Sequence, residues 1–284
     1  MTLNATPDII QLDGFAVLRL RGAGALSFLQ GQLSNDVERL RGERTLLAGL
    51  HNPQGRVIAV LRLIALAPED VLALLPRELA GEVLTRLRKY VLRAKVQIED
   101  DSEQWRIEGG WGAVPADTVA LSIPGGRFLA PRAGEPAVAN PDDTARWLAA
   151  DIAAGLPQVY GATSEAFVGQ MLNLDLVDAI SFTKGCYTGQ EVIARAHYRG
   201  RVKRRMQRFR TLHRTPLLPG DSFRLRDERV LRIVYASPVP GGGSEFLAVA
   251  PFEHAIDPNA AEGAAPLIDA SALPLPYGIV DEAP

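Results

Sequence analysis

The densest run of chemically capable side chains is Lys184-Gly185-Cys186-Tyr187-Thr188-Gly189-Gln190-Glu191, which holds the single cysteine of the chain. A thiolate is a nucleophile and a soft metal ligand; a thiol is a poor one. Two local features favour the thiolate here. Lys184 stands two residues away, and a helix start, with its partial positive charge, follows at once. Thr188 and Glu191 have the spacing of a capping box, and Val192, Ile193 and Ala196 then recur at helical intervals as far as Gly200. Cys186 is therefore expected just outside a helix N-terminus. A lone cysteine is equally at home as a small buried apolar residue, and the residues alone leave these two readings level.

A second candidate is Trp147. Asp142 or Asp143 can cap a helix in which Trp147, Leu148 and Ile152 face inward, and Gly155 with Pro157 ends it. A single tryptophan on an apolar helix face is more often core than a ligand platform. A third is basic: seven of the residues from 199 to 210 are Lys or Arg, with no acid among them. Such a run suits phosphate contact or an exposed strand with solvated arginines. The four histidines, His51, His197, His213 and His254, show no metal-ligand spacing, and no metal site is expected.

The elements that must position these residues follow from periodicity. Residues 15–20 read as a strand broken by Gly22 and Gly24. Residues 25–40 read as a helix striped by Leu26, Leu29, Leu33 and Val37. The turn chemistry of Asn52-Pro53-Gln54-Gly55 predicts a hairpin into a strand over 57–66. A strand over 70–75, an amphipathic helix over 77–91 and a strand over 94–99 come next, so residues 47–130 are expected to form an inserted α+β unit. Short strands at 118–123 and 127–129 lie in a Gly/Pro-rich stretch. Beyond Gly200, strands over 202–212, 223–225, 231–235 and 245–250 predict a small β-barrel over 205–284. Residues 1–46 with 131–204 are expected to make the remaining lobe.

Composition bounds the answer. The 284 residues are 47% hydrophobic and 23% charged, enough for a substantial core. A formal net charge of −2 supplies no global basic field for nucleic acid. One cysteine makes no intramolecular disulfide and fits a reducing compartment. No basic N-terminal segment or run of roughly 20 apolar residues is visible, so a cytoplasmic chain with no membrane partner is expected.

The segment from Ile180 to Arg195 resembles the signature of the YgfZ-type folate-binding proteins, relatives of the glycine-cleavage T-protein (an aminomethyltransferase) and of a mitochondrial iron–sulfur maturation factor. Leu26-Ser27-Phe28-Leu29-Gln30-Gly31-Gln32 with Asp36-Val37 resembles the family's first helix. The stretch from Trp147 to Pro157 resembles the segment whose tryptophan lines the folate site, and Glu165 to Asp175 follows the same pattern. The resemblance covers most of the chain. It implies an α+β, three-lobed T-protein-like fold with an inserted α+β unit and a C-terminal small β-barrel. It implies a folate-binding accessory protein that supports iron–sulfur enzymes, including those that modify tRNA. Tetrahydrofolate, or a one-carbon derivative, would occupy a central cavity near Trp147. Cys186 would be the reactive thiolate, making a transient iron–sulfur cluster contact. Lys184 would bias its ionisation, Tyr187 and Gln190 would shape the pocket, and Arg195 would pair with Glu191 or face a ligand carboxylate. The implied partners are folate, iron–sulfur proteins and, weakly, tRNA. Phe15 stands where the family can carry a second tryptophan; it keeps the apolar face but has no indole donor.

Two other functions stay open. T-protein relatives place a carboxylate about four residues beyond the turn glycine, whereas Gly55-Arg56-Val57-Ile58-Ala59-Val60 has none. An aminomethyltransferase would need a substitute such as Asp36 or Asp70. An RNA-binding module would use residues 199–210.

Overall fold

The computed structural model describes residues 7–116, 118–200, 202–212, 215–252 and 265–279. Its strands form three antiparallel sheets. In chain order the first elements are β1 (Asp8–Gln11), β2 (Phe15–Arg21), α1 (Ala25–Gln32), the single turn α2 (Leu40–Glu43), β3 (Thr45–His51), β4 (Val57–Ala67) and β5 (Asp70–Pro76). Then come α3 (Ala80–Arg88), β6 (Gln97–Asp100), β7 (Trp105–Trp111), β8 (Leu121–Ile123), β9 (Arg127–Ala133), α4 (Pro141–Ala153) and α5 (Gln190–Tyr198). The last strands are β10 (Arg204–Thr211), β11 (Ser222–Arg224), β12 (Val230–Pro238), β13 (Ser244–Pro251) and β14 (Ala270–Leu273).

The central sheet has the order β3-β4-β5-β2-β6. Its middle strands β5 and, apart from Arg62, β4 are apolar on both faces because both faces are covered. Alternation along β2 sends Ala16, Leu18 and Leu20 into a first core with α1 and α3. Phe15 and Val17 point into a second. In that second core Val17, Ile64, Leu72 and Leu74 pack against Ile10, Ile107 and Leu129 of the sheet β1-β7-β9-β8, with Trp147 of α4 among them. β2 thus joins β5 on one side and β6 on the other, and β1 pairs with β7. A division at residues 46 and 47 would cut both sheets, because strands expected in the first lobe are hydrogen-bonded into the unit expected to be inserted.

Local boundaries shift for local reasons. The helix over 25–40 ends at Gln32. Leu33 is extended and bridges to Leu50, and the Asp36 side chain accepts from the Glu38 N–H to start a separate 3-10 turn. Ser34, Asn35 and Asp36 offer the backbone side-chain partners that compete with a continuing helix. Asn140, not Asp142 or Asp143, caps α4. Its side chain accepts from the Asp142 N–H at 2.9 Å, Pro141 follows, and the two acids occupy the first turn.

The C-terminal sheet has the order β11-β12-β13-β10-β14. The segment entering β14 also reaches the opposite edge. Arg224 donates its N–H to Pro266 O at 3.0 Å, and Ile268 donates to Arg224 O at 2.9 Å. The expected barrel is realised as a five-stranded sheet whose edges, among the described residues, meet at this bridge. No helix among the described residues is long and apolar enough to cross a membrane.

Candidate functional site

The sequence candidates divide between two places. The first is a cavity of ≈ 240 Å³ where α4 crosses the start of β2, lined by Phe15, Trp147, Asp151, Gln158, Tyr160 and Tyr235 among others. Trp147 and Asp151 are one helical turn apart, so both face it. The tryptophan is only 2% exposed. It meets Trp111 edge-on at 5.4 Å between ring centroids. It fits against β7 only because Gly109 has no side chain; a Cβ there would lie 2.6 Å from the indole. Trp147 is therefore both core and cavity wall. Burial raises the phenol of Tyr160 to about 12 and that of Tyr235 well above its ordinary value, so both stay protonated at neutral pH.

Behind the aromatic wall lies an ionic group that the sequence reading did not find. Arg127 Nη1 donates to Asp151 Oδ1 at 2.7 Å, and Arg62 Nη2 lies 3.8 Å from Asp151 Oδ2. Each guanidinium lies over an aromatic ring, Arg62 on Phe15 at 5.3 Å and Arg127 on Trp147 at 4.7 Å. Arg62 Nη1, Arg127 Nη2 and Trp147 Nε1 are buried with no hydrogen-bond partner. One signal was available in advance. Arg62 interrupts an otherwise apolar strand, Val57-Ile58-Ala59-Val60-Leu61-Arg62-Leu63-Ile64, that is buried along its whole length.

The second place is the cysteine loop. Cys186 is exposed. Lys184 does not share that exposure. Its ammonium donates to Gln30 O, Leu33 O and Asn35 O at 2.6, 2.7 and 3.0 Å, capping the end of α1. Burial lowers its pKa to about 8, with Asp36 opposing the shift. Lys184 thus anchors the loop from beneath. Tyr187 packs into the first core, 6.3 Å from His51, and burial raises its phenol to about 12. Gln190 opens α5, and Arg195 is exposed on the same helix.

The expected capping box of Thr188 and Glu191 does not form. α5 is entered through Gly189 at φ +84° with no side-chain cap. The close approach of the hairpin turn requires this. A Cβ on Gly189 would lie 2.5 Å from Asn52 O and 3.0 Å from Gly55 Cα. The turn itself is held by the Asn52 side chain, which accepts from the N–H groups of Gln54 and Arg56 at 3.0 and 2.9 Å. No residue of the cysteine loop lines the Trp147 cavity. The structure groups Phe15 with Trp147, and Lys184 with Cys186, Tyr187 and Gln190; Arg195 lies outside the cavity.

The basic run is partly neutralised by its own fold. Arg205 is buried and pairs with Asp175 through two bonds of 2.9 Å. Arg208 and Arg210 both approach Glu245. Arg201, His213 and His254 lie outside the described residues. The two acids weighed as stand-ins for a transferase carboxylate are also engaged. Asp70 takes both arms of Arg19 at 2.8 and 2.6 Å, and Asp36 accepts from Gln30 at 2.9 Å. Ala59 and Val60 are buried in β4.

No family model matches the chain. A Yersinia pestis (strain Pestoides F) protein named tRNA-modifying protein YgfZ is 33% identical over 228 residues, 69% of this chain and 68% of that protein. The chain belongs to the YgfZ family. A Serratia proteamaculans YgfZ is 32% identical over 227 residues, with the same shares of the two chains. An uncharacterised Haemophilus influenzae protein is 37% identical over 207 residues, 72% of this chain and 73% of its own. The glycine cleavage aminomethyltransferase T of Bartonella henselae superposes with a TM-score of 0.67 over 96% of this chain and 86% of that one, at 14% identity. This YgfZ-family chain therefore has the α+β T-protein fold.

Proposed function

We propose that the chain is a folate-binding accessory protein that supports iron–sulfur enzymes, tRNA-modifying ones among them, with tetrahydrofolate held beside Trp147 and Cys186 meeting the cluster or partner protein. The observation that carries the folate half is the cavity walled by Trp147 and Phe15 in a chain of T-protein fold. A flat pterin suits an aromatic slot with a few buried polar groups. The residues fit such a guest. Trp147, which lines the cavity, has a buried Nε1 donor with no partner in the protein, and a bound ring with acceptor atoms would satisfy it. When bound, tetrahydrofolate supplies a reduced pterin able to carry one-carbon units. The chain's own part is to exclude water and orient the ring.

The cysteine half rests on exposure and anchoring. Lys184 and Tyr187 hold the loop from below while Cys186 faces solvent, which suits a thiolate that must reach another protein. The reading as an aminomethyltransferase has less support, because Ala59 and Val60 cannot move a proton.

Calorimetric titration of the protein with 5-formyltetrahydrofolate tests the first half. Trp147→Leu should weaken binding by about 1 kcal/mol, the value of an aromatic wall beyond its area. A wild-type protein that gives no binding heat would sink the folate reading. For the second half, Cys186→Ser should fold normally and fail to sustain iron–sulfur-dependent tRNA modification in cells; full modification by that variant would remove Cys186 from the mechanism.

A further inference from the structure

A basic segment leaves the end of α3. Residues 83–98 hold Arg86, Arg88, Lys89, Arg93 and Lys95 and no acid. Two of these cations are engaged. Arg86 pairs with Glu82 at 3.0 Å and with Glu165 at 2.6 Å, and Arg88 donates twice to Ile98 O, at 3.1 and 2.8 Å. Lys89, Arg93 and Lys95 are exposed, and their side chains make no ion pair or hydrogen bond among the described residues. Tyr90 and Leu92 stand between them, 54% and 87% exposed. The Tyr90 ring meets no other ring among the described residues, so its faces are free.

The segment is irregular in form yet fixed in place. Leu87 and Val96 are buried, and Val91 and Ala94 pack against the first core. The N–H groups of Lys89, Tyr90 and Val91 donate to Arg86 O, Leu87 O and Arg88 O at 3.2, 3.0 and 3.2 Å. Farther on, Lys95 O accepts from the Gly24 N–H at 3.0 Å. The approach is close: a Cβ on Gly22 would lie 2.4 Å from Lys95 O, and one on Gly24 2.9 Å from Lys95 N. The apolar residues thus tie the backbone down and leave three cations and a ring facing solvent. A ligand met by this surface has little backbone to order.

Cations clustered without acids draw a polyanion. The kind of polyanion follows from the neighbours. An anionic membrane is held by a broad apolar face, and two exposed side chains do not make one. Interfaces between proteins are depleted in lysine. An exposed ring flanked by cations suits a nucleic acid whose unpaired bases can stack on it while the phosphates meet the charges. The run over 199–210 differs in this respect, because Glu245 and Asp175 already answer three of its arginines. We propose that the surface over residues 89–95 binds single-stranded or loop RNA, with phosphates on Lys89, Arg93 and Lys95 and an unpaired base on Tyr90. The inference rests neither on the folate cavity nor on Cys186.

The test is fluorescence anisotropy of the full chain with a labelled single-stranded RNA of mixed sequence, about 12 nucleotides long, within the span that such surfaces cover. Three phosphate contacts give affinity that falls by about tenfold or more between about 50 and 200 mM salt. Tyr90→Ala should weaken binding by about tenfold, the value of one stacked base, and Tyr90→Phe should keep it. The triple variant Lys89→Gln/Arg93→Gln/Lys95→Gln should remove most of the binding and flatten its salt dependence. A charge-matched control, Arg41→Gln/Arg224→Gln/Arg226→Gln, should bind as the unmodified protein does. Equal loss in the two triple variants would mean that overall charge alone attracts RNA, and overturns the proposal. Binding that ignores Tyr90→Ala overturns it as well, as does the absence of binding at about 50 mM salt. Polyglutamate or phosphatidylserine vesicles that bind through Lys89, Arg93 and Lys95 more tightly than the RNA would assign the surface to an acidic protein or to a membrane, and would overturn it too.

Discussion

The Trp147 cavity and the Cys186 loop are built on opposite principles. The cavity is a small interior space walled by the rings of Phe15, Trp147, Tyr160 and Tyr235, with the ion pair of Asp151 and Arg127 beside Trp147. The loop turns outward. Its interior side is fixed by Lys184 and Tyr187, and its reactive atom faces solvent. A small molecule is recognised by exclusion of water and precise donors. A partner protein or cluster needs an accessible thiol on a backbone that does not wander. Trp147 belongs to the second core and Tyr187 to the first, and the two sites share no lining residue, so one can be damaged with the other intact.

The largest expected effect falls on the cavity. Asp151→Asn would leave Arg62 and Arg127 buried without a countercharge and should cost about 3–5 kcal/mol, read from urea unfolding. A loss below about 1 kcal/mol would mean water reaches the cluster and that the cavity is as open as the loop.

Next comes acid sensitivity on the loop side. His51 is 2% exposed, neither ring nitrogen has a partner, and burial holds its pKa down at about 4. The unfolded chain takes up this proton near pH 6.5, before the folded one does, so stability is full above that pH and falls as the pH drops towards 4. The fall should approach about 3 kcal/mol over that window, and His51→Phe should flatten it. An unchanged pH profile in the variant would place the acid sensitivity elsewhere.

Lys184→Met should cost about 1–3 kcal/mol, because three carbonyls at the end of α1 lose their donor. It should also change the rate at which iodoacetamide modifies Cys186, while ligand binding at the Trp147 cavity is unaffected. Equal loss at both sites would show that loop and cavity are one unit. The smallest effect is that of Cys186→Ser on stability, expected within about 0.5 kcal/mol for an exposed side chain. A larger loss, or alkylation only after denaturation, would make the thiol structural.

Much of the local structure was legible in the chain. The apolar period of residues 15–20 and 57–66 gives β2 and β4, and Asn52-Pro53-Gln54-Gly55 gives the turn between β3 and β4, because alternation and turn chemistry act over a few residues. The signature around Cys186 pointed to the family that the relatives establish. Helix limits were less legible: the side chains of Ser34 to Asp36 and of Asn140 decide them through single hydrogen bonds.

What the sequence by itself determined is the alternation of β2, with Ala16 and Leu18 on one face and Phe15 and Val17 on the other, and the placing of Trp147 and Asp151 on one face of α4. Only the tertiary structure decided what those faces meet. Arg62, Arg127 and Asp151 are far apart in the chain, and their convergence depends on how two sheets and a helix pack. Lys184 is close to Cys186 in sequence, yet its charge goes to carbonyls about 150 residues away in the chain. Sequence spacing fixes which side chains share a face, through the periods of 2 and 3.6. Burial and long-range hydrogen bonding are properties of the packed chain, and they separated the lysine from the thiol and placed two arginines behind the tryptophan.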